Sequence, residues 1–172
     1  MQSILRMIGI GDINMFIYLN HKINCKFLDK IMPLVTLMGG AYFTIFVVAL
    51  LGIFGDEELK AVTFKGATSL FVSFFIGFMI KKMLGRPRPY KVIACTNIGD
   101  KVWKDHSFPS GHTTAAFSLA VSYSLYYSEL EFPLILCAAL VGISRIYLGQ
   151  HYPTDILAGA LLGTTTSLLI FL

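Results

Sequence analysis

The chain has 172 residues and a formal net charge of +4, with 55% hydrophobic residues, only 14% charged residues and a mean hydropathy of +0.69. Soluble domains carry roughly 25% charged residues, so this composition favours a membrane protein and excludes a disordered chain. It also excludes a nucleic-acid-binding domain, because such domains carry their basic residues on a soluble scaffold.

The predicted elements are apolar runs that follow a more polar N-terminal segment. Residues 1–30 lack an uninterrupted apolar stretch, so we expect them to form an interfacial or loop-like segment. A membrane-spanning helix needs roughly 20 largely apolar residues. We assign spans to the runs at about 32–54, 62–80, 112–127, 132–148 and 154–172.

The predicted fold class is all-α, a polytopic membrane helix bundle with about five transmembrane helices. The whole chain, 1–172, is expected to form a single membrane-embedded domain. The three cysteines, Cys25, Cys95 and Cys137, share no metal-ligand spacing. Cys137 fits a small core residue, whereas Cys25 and Cys95 pair only if the fold brings them together.

Polar residues interrupt the apolar pattern in three clusters. The first, Lys81–Pro89, ends the second predicted span; the second, Phe108–His112, opens the third; the third, Ser144–Asp155, runs from the fourth into the fifth. Because the chain crosses the membrane once in each span, the order of the clusters places all three at one membrane face. We therefore expect a single polar site there.

The clusters contain groups suited to binding a phosphate. Lys81, Arg88 and Arg145 are cations near one surface, and an arginine guanidinium binds phosphate oxygens through paired hydrogen bonds. Ser110 and Gly111 lie where a helix is predicted to begin, and the free N–H groups of a helix N-terminus favour an anion. The residues therefore predict an anion pocket.

Two histidines and one carboxylate add reactive groups to that pocket. His112 and His151 are suited to proton transfer or nucleophilic attack near neutral pH. Asp155 follows His151 by four residues, so the two side chains share a face of a helical turn. A carboxylate in that position fixes the imidazole tautomer and leaves the other ring nitrogen free to attack.

Each of these residues also has an ordinary structural explanation. A lysine at a helix end, such as Lys82, commonly extends to the membrane interface, and a Pro-Ser-Gly sequence commonly forms a turn. Arg145 is harder to explain in this way, because an unpaired cation inside an apolar run costs about 3 kcal/mol even on the lower scales. The coincidence of the three clusters on one face favours a functional site.

The spacing of the clusters matches the signature of a known family. That signature is Lys, six residues and Arg-Pro; then Pro-Ser-Gly-His; then Ser-Arg, five residues, His, three residues and Asp. Here it is filled by Lys81, Arg88-Pro89, Pro109–His112, Ser144-Arg145, His151 and Asp155. In these residues the chain resembles the type 2 phosphatidic acid phosphatase superfamily, which includes bacterial undecaprenyl-diphosphate phosphatases.

The resemblance implies a phosphatase that uses a phosphohistidine intermediate and neither a metal nor a cofactor. His151 would be the nucleophile, Asp155 would orient it, and His112 would protonate the leaving oxygen and then activate water. The phosphoryl oxygens would be bound by Lys81, Arg88, Ser110, Gly111 and Arg145. Arg86 is an extra cation in the first cluster, and two roles for it stay open, a contact with a second phosphate or a position facing lipid headgroups.

The resemblance also implies a membrane lipid as substrate, either a lipid phosphate or an isoprenyl diphosphate. The short chain and few loops are similar to the small bacterial members, which favours conversion of undecaprenyl diphosphate to undecaprenyl phosphate and phosphate. Phosphatidylglycerophosphate and phosphatidic acid are the alternatives, since no residue distinguishes these substrates.

The predicted location is the cell membrane, with several crossings, but two arguments disagree about the side of the site. If the N-terminal segment and the clusters share one face, all of the 14 Lys and Arg lie there except Lys60 and Lys65. The positive-inside rule would then place that face in the cytoplasm, whereas the family resemblance implies the extracytoplasmic face. We expect the extracytoplasmic face, with the excess charge explained by anionic headgroups or by an N-terminal segment that dips through the membrane.

Two other classes of protein fit the sequence less well. A transporter would be expected to show internal repeats or broken helices, and neither is evident. A non-catalytic membrane scaffold would be expected to have lost a histidine or Arg145, and all are present.

Overall fold

The chain folds into eight α-helices and two short helical turns within the residues that the computed structural model describes, 2–94, 96–99 and 102–172, with side chains from residue 9 onward. Cys95, and with it any pairing with Cys25, lies outside the described residues. The helices are α1 (Gln2–Ile17, continued by a π-helical turn at Tyr18–Lys22), α2 (Lys26–Leu37), α3 (Ala41–Phe54), α4 (Glu57–Leu84), α5 (Pro89–Val92), α6 (Gly111–Ser124, followed by a 3₁₀ turn at Ser128–Leu130), α7 (Glu131–Tyr147) and α8 (Pro153–Phe171).

The long helix α4 is bounded by residues that are typical of helix ends. The Asp56 carboxylate accepts a hydrogen bond from the backbone N–H of Leu59 at 2.8 Å, which satisfies a donor that has no partner within the helix. Gly85 ends the helix in the left-handed conformation, with φ of +59°, where glycine is favoured. The chain therefore leaves α4 immediately before the two arginines of the first polar cluster.

Three helical stretches in the described ranges are long and apolar enough to cross a membrane, namely Glu57–Val92, Ser128–Tyr147 and Pro153–Phe171. The pair α2 and α3, bent by 51° at a short break, makes a fourth if it is counted as one span. An all-helical membrane fold is therefore supported, and the predicted count of about five spans is not confirmed.

The predicted run at 32–54 is divided between α2 and α3 by two glycines. A Cβ atom on Gly39 would lie 2.7 Å from the backbone oxygen of His112 and 2.6 Å from a methyl group of Val141. A side chain at this point would clash with the start of α6, so the glycine lets the α2–α3 junction contact the second polar cluster. The bend of this run could not be seen in its uniform hydrophobicity.

The predicted span at 112–127 corresponds to α6, which has only 14 residues and is too short to cross the apolar layer alone. It packs against α4, α7 and α8, and its buried polar residues include Thr113, Ser118 and Ser122. Because its neighbours cover it, α6 does not need the continuous apolar surface of a lipid-facing helix.

Small and hydroxylated residues join α4, α6 and α8. The Ser69 hydroxyl lies 2.7 Å from that of Ser118 and 2.8 Å from that of Ser167, which links the three helices. A Cβ on Gly163 of α8 would lie 2.5 Å from the backbone oxygen of Thr114 on α6. Small residues permit this close approach, and interhelical hydrogen bonds replace the missing hydrophobic driving force between helices in lipid.

We predict that Gly163→Ala destabilises the bundle by about 1–3 kcal/mol, because the added methyl group meets a backbone oxygen that cannot move independently of α6. Thermal unfolding of the purified protein in detergent measures the effect. Gly52→Ala in α3 is the matched control, since a Cβ there meets its nearest neighbour at 3.8 Å. Equal melting temperatures for the two variants would contradict the predicted packing.

Candidate active site

Lys81 and Arg88 are brought together by a carboxylate that lies between them. The Lys81 Nζ atom is 2.8 Å from Oδ2 of Asp105, and the Arg88 Nη2 atom is 2.5 Å from Oδ1 of the same residue. Arg88 is almost completely buried, whereas about half of the Asp105 side chain is exposed. The Asp105 carboxylate therefore pairs with two of the cations that the sequence predicts to bind phosphate.

His151 and Asp155 meet at the junction of α7 and α8, where both are buried. The His151 Nδ1 atom lies 3.5 Å from Oδ2 of Asp155, a distance of ion-pair range without hydrogen-bond geometry. On the other side of the ring, Nη1 of Arg88 lies 3.2 Å from Nε2.

The contact with Arg88 assigns the tautomer of His151. A guanidinium can only donate, so Nε2 of His151 must be the acceptor, and the proton of the neutral ring is on Nδ1, facing Asp155. The lone pair of Nε2 therefore points toward Arg88.

His112 lies in the first turn of α6. Its ring makes an edge contact with that of Trp103, with centroids 5.9 Å apart. A Cβ on Gly40 would lie 3.8 Å from Nε2 of His112, so the α2–α3 junction also borders this ring. The charge of Arg145 is close enough to act on His112 electrostatically.

Ser110 and Gly111 form the N-terminus of α6, as predicted. The buried Ser110 hydroxyl accepts a hydrogen bond from the Thr113 hydroxyl at 2.9 Å. The backbone N–H of Ser110 donates to the backbone oxygen of Asp155 at 3.0 Å. Beside Gly111 there is open space, since a Cβ placed there would meet nothing within 4 Å. That space lies at the positive end of a helix, which favours an anion.

Arg145 points from the last turn of α7 into the same region and is only 4% exposed. Its Nη1 atom donates to the Thr36 hydroxyl of α2 at 2.9 Å, while its Nε atom has no hydrogen-bond partner among the described residues. Buried donors are normally satisfied, so an unpartnered guanidinium N–H in a polar site favours a bound anion.

The cations change the pKa values of nearby groups outside the helices that span the membrane. Partial burial raises the pKa of Asp105, but the hydrogen bonds and charges of Lys81 and then Arg88 outweigh it and lower the value to about 2. Burial, followed by the charges of Arg145, Arg88 and Lys81, lowers the pKa of His151 well below its usual range. His151 is therefore neutral at neutral pH.

Arg86 lies beside the site and is held by two carboxylates. Its Nη1 atom is 2.7 Å from Oδ1 of Asp155 and its Nη2 atom is 2.6 Å from Oδ2 of Asp12. The guanidinium also stacks on the Tyr152 ring, 4.0 Å from the centroid. Neither role foreseen for Arg86 in the sequence included these carboxylates.

The structure thus places every predicted site residue at one end of the bundle, with direct contacts among Arg88, His151, Asp155 and Arg86. It also adds partners that the sequence did not reveal. Asp105 lies in a loop, Asp12 in the N-terminal helix and Thr36 in an apolar run, and no spacing rule connects any of them to the motifs. Within the described residues, no three His, Cys, Asp or Glu side chains are arranged to hold a metal ion.

Residues 63–172 match the PAP2 superfamily, and these residues include all three motifs of the site. The chain belongs to this superfamily. Membership confirms the prediction of a phosphatase, and with the membrane-spanning helices it confirms a membrane protein.

Known PAP2 proteins resemble the chain well beyond the motifs. It is 28% identical to undecaprenyl-diphosphatase BcrC of Bacillus subtilis over 84% of this chain and 74% of that protein. It is 32% identical to an undecaprenyl-diphosphatase of Sulfolobus acidocaldarius over 83% of this chain and 68% of that protein. The crystal structure of Aquifex aeolicus LpxE superimposes with a TM-score of 0.84 at 26% identity, covering 92% of this chain and 93% of the other.

We predict that Asp105→Asn lowers the inhibition constant for inorganic phosphate by roughly three- to tenfold, the effect of removing two partly exposed ion pairs. The carboxylate occupies Lys81 and Arg88, so an amide leaves both cations more available to an anion. Phosphate inhibition of lipid hydrolysis in detergent measures the constant. Glu129→Gln, a change of an exposed residue at the other end of α6, is the control. An unchanged or higher inhibition constant for Asp105→Asn would contradict the predicted competition between the Asp105 carboxylate and phosphate.

Proposed function

We propose that the chain hydrolyses a phosphorylated membrane lipid through a phosphohistidine intermediate on His151, and that undecaprenyl diphosphate is its substrate. The observation that carries the proposal is the 3.2 Å contact between Nη1 of Arg88 and Nε2 of His151. It supports a nucleophile whose reactive lone pair faces a phosphate-binding cation. The choice of undecaprenyl diphosphate is supported by the names of the two relatives described above.

In the first step, Nε2 of His151 attacks the phosphorus and the bond from phosphorus to the leaving oxygen breaks. Asp155 stabilises the imidazolium that forms, because its Oδ2 atom lies beside Nδ1. Arg88 moves from Nε2 to the phosphoryl oxygens, and Lys81 and Arg145 bind the remaining charge. Electrostatic stabilisation of this kind accounts for most of the acceleration in phosphoryl transfer.

His112 serves as the general acid and then as the general base. It protonates the leaving oxygen, which departs as undecaprenyl phosphate, and it then removes a proton from the water that attacks phosphohistidine. The phosphorus–nitrogen bond breaks, inorganic phosphate is released and His151 returns to its neutral form. The open space beside Gly111, next to His112 in the chain, would accommodate the transferred phosphoryl group.

The lipid chain of the substrate stays outside the bundle. Helices α3 and α4 present many exposed large apolar residues to the surroundings, among them Phe46, Phe54, Phe64 and Phe71. The site lies at the ends of α4 and α7 and at the starts of α6 and α8, so a headgroup can reach it from the membrane surface.

We predict that the purified protein releases phosphate from undecaprenyl diphosphate in the presence of EDTA, and that His151→Ala loses activity by at least about 10³-fold, as expected for removal of a nucleophile. Release of inorganic phosphate in detergent measures both. The panel also contains undecaprenyl phosphate, phosphatidylglycerophosphate and phosphatidic acid, and His21→Ala, an exposed histidine away from the site, is the control.

Each outcome of the panel has a defined meaning. Faster release from phosphatidylglycerophosphate or phosphatidic acid would replace undecaprenyl diphosphate as the proposed substrate. Loss of activity in EDTA would overturn the metal-free mechanism, and wild-type activity in His151→Ala would overturn the phosphohistidine. Release from no lipid on the panel would contradict the proposed activity as a whole.

We also propose that the site faces the extracytoplasmic side, and we predict labelling from outside at position 104 but not at position 129. Lys104 and Glu129 are exposed residues in the loops at opposite ends of α6. Each is changed to cysteine in a chain whose own cysteines are replaced by serine, and intact cells are treated with an impermeant thiol reagent. Labelling of position 129 alone would reverse the orientation.

A further inference from the structure

The N-terminal helix α1 reaches the candidate active site through one buried carboxylate. Asp12 is only 6% exposed although it lies in a segment outside the matched residues 63–172 and outside all three motifs. A buried carboxylate is stable only when charged or hydrogen-bonding groups surround it. The partners of Asp12 therefore indicate why the chain holds it there.

Asp12 binds the beginning of α8. Its Oδ1 atom accepts a hydrogen bond from the Thr154 backbone N–H at 2.9 Å, and its Oδ2 atom accepts one from the Thr154 hydroxyl at 2.6 Å. A carboxylate at this position satisfies a free donor of the helix N-terminus and interacts favourably with the helix dipole. Asp12 thus fixes α1 to the turn of α8 that contains Asp155.

Arg86 connects Asp12 to Asp155. Its Nη2 atom donates to Oδ2 of Asp12 at 2.6 Å, and its Nη1 atom donates to Oδ1 of Asp155 at 2.7 Å and to the Thr154 hydroxyl at 2.7 Å. The Tyr152 ring supports the guanidinium plane from one side. A planar, rigid group held by two carboxylates and a ring has little freedom to rotate.

These contacts restrain both oxygens of Asp155. Arg86 holds Oδ1, while Oδ2 accepts a hydrogen bond from the Tyr152 backbone N–H at 2.8 Å and faces Nδ1 of His151 at 3.5 Å. Without Arg86 the carboxylate would lose its charged partner and keep the hydrogen bonds from Ser107 and the Tyr152 N–H, so it would be less restrained against rotation about its Cβ–Cγ bond. The orientation of the oxygen that faces His151 therefore depends on Arg86.

We propose that Arg86 and Asp12 are positioning residues that hold Asp155 in the orientation at which it fixes the His151 ring. The inference rests on the proposed nucleophilic role of His151. It assigns the N-terminal helix a part in catalysis, because Asp12 is what keeps Arg86 from leaving Asp155 for solvent or for a phosphate. The role differs from a contact with a second phosphate, since Arg86 is already shared between two carboxylates.

Kinetic measurements on Arg86→Gln, Arg86→Lys and Asp12→Asn test the proposal. We expect Arg86→Gln to lower kcat on the order of 10- to 100-fold, the usual effect of a small misplacement of a reacting group, with KM changed by less than about twofold. The loss should be the same for every lipid on the panel that the wild-type protein hydrolyses. Arg86→Lys should recover only part of the activity. It keeps the positive charge, but one ammonium cannot bridge two carboxylates as a guanidinium does.

Combination with Asp155→Asn separates positioning from direct binding. If Arg86 acts through Asp155, adding Arg86→Gln to Asp155→Asn should lower kcat by less than about twofold more. Lys82→Gln is the matched control, a change of an exposed cation in the same segment whose ammonium lies over the Phe78 ring. If Arg86→Gln does not fold, Asp12→Asn provides the test. It should lower kcat by roughly three- to tenfold in the wild-type background and should have no further effect on kcat in the Asp155→Asn background.

Two results would overturn the proposal while leaving the proposed function intact. One is a loss confined to undecaprenyl diphosphate and expressed as a higher KM, which would make Arg86 a substrate contact. The other is full additivity with Asp155→Asn, or wild-type rates in Arg86→Gln and Asp12→Asn. In either case the wild-type protein and His151→Ala would still behave as the proposed function requires.

A measurement that does not depend on activity distinguishes failure of the proposed function. The chain has four histidines, so a protein labelled with 15N-histidine gives few signals, and His151→Gln identifies those of His151. Arg86→Gln and Asp12→Asn should shift the His151 ring nitrogens and leave those of the exposed His21 unchanged. Unchanged His151 signals would overturn the positioning role even if the wild-type protein released no phosphate.

Discussion

A guanidinium can be buried at the end of an apolar helix bundle only where carboxylates or hydrogen-bond acceptors compensate its charge. This constraint determines how the polar groups at the site are arranged. Arg88 is paired with Asp105, and Arg86 is shared between Asp12 and Asp155. Arg145, by contrast, bonds to a hydroxyl of α2 and keeps its Nε–H without a partner among the described residues. Of these three arginines, the one without a carboxylate partner in the described part of the chain is therefore Arg145, and a bound phosphate would compensate its charge.

The helix packing holds these charges at fixed separations. Hydrogen-bonded serines and closely packed glycines join α4, α6 and α8, so the end of α4 and the starts of α6 and α8 form one rigid rim. The turn between α7 and α8 contributes Gly149, with φ of +71°, where a Cβ would lie 2.6 Å from the backbone oxygen of Asn97. This turn delivers His151 and Asp155 to the rim together.

The motif residues could be predicted from the sequence because their spacing is local and their chemistry is shared. The four-residue step from His151 to Asp155, the start of a helix after Ser110 and the charges near Lys81 all follow from short stretches of chain. Their partners could not, because Asp105 and Asp12 are joined to the motifs by tertiary contacts alone. Nothing in the local sequence around a single acidic residue in a loop or an N-terminal helix predicts such a contact.

The fold was predictable in its class and less so in its details, for a related reason. Hydrophobicity identified α4, α7 and α8, which face lipid over much of their length, but it could not show that 32–54 bends at Gly39 or that α6 is short. Both features depend on what surrounds the segment, since α6 is enclosed by other helices and Gly39 lies against it. The average hydropathy of a segment indicates whether it can face lipid, but it does not show which other helices the segment contacts.

The close contact between α6 and α8 has a consequence for how a lipid substrate reaches the site. Where the backbones touch at Gly159 and Gly163, no seam is left between these helices for a hydrocarbon tail. A tail that reaches the site must therefore approach it on a side other than this contact. The close packing of α6 and α8 thus restricts the direction from which a lipid substrate can enter.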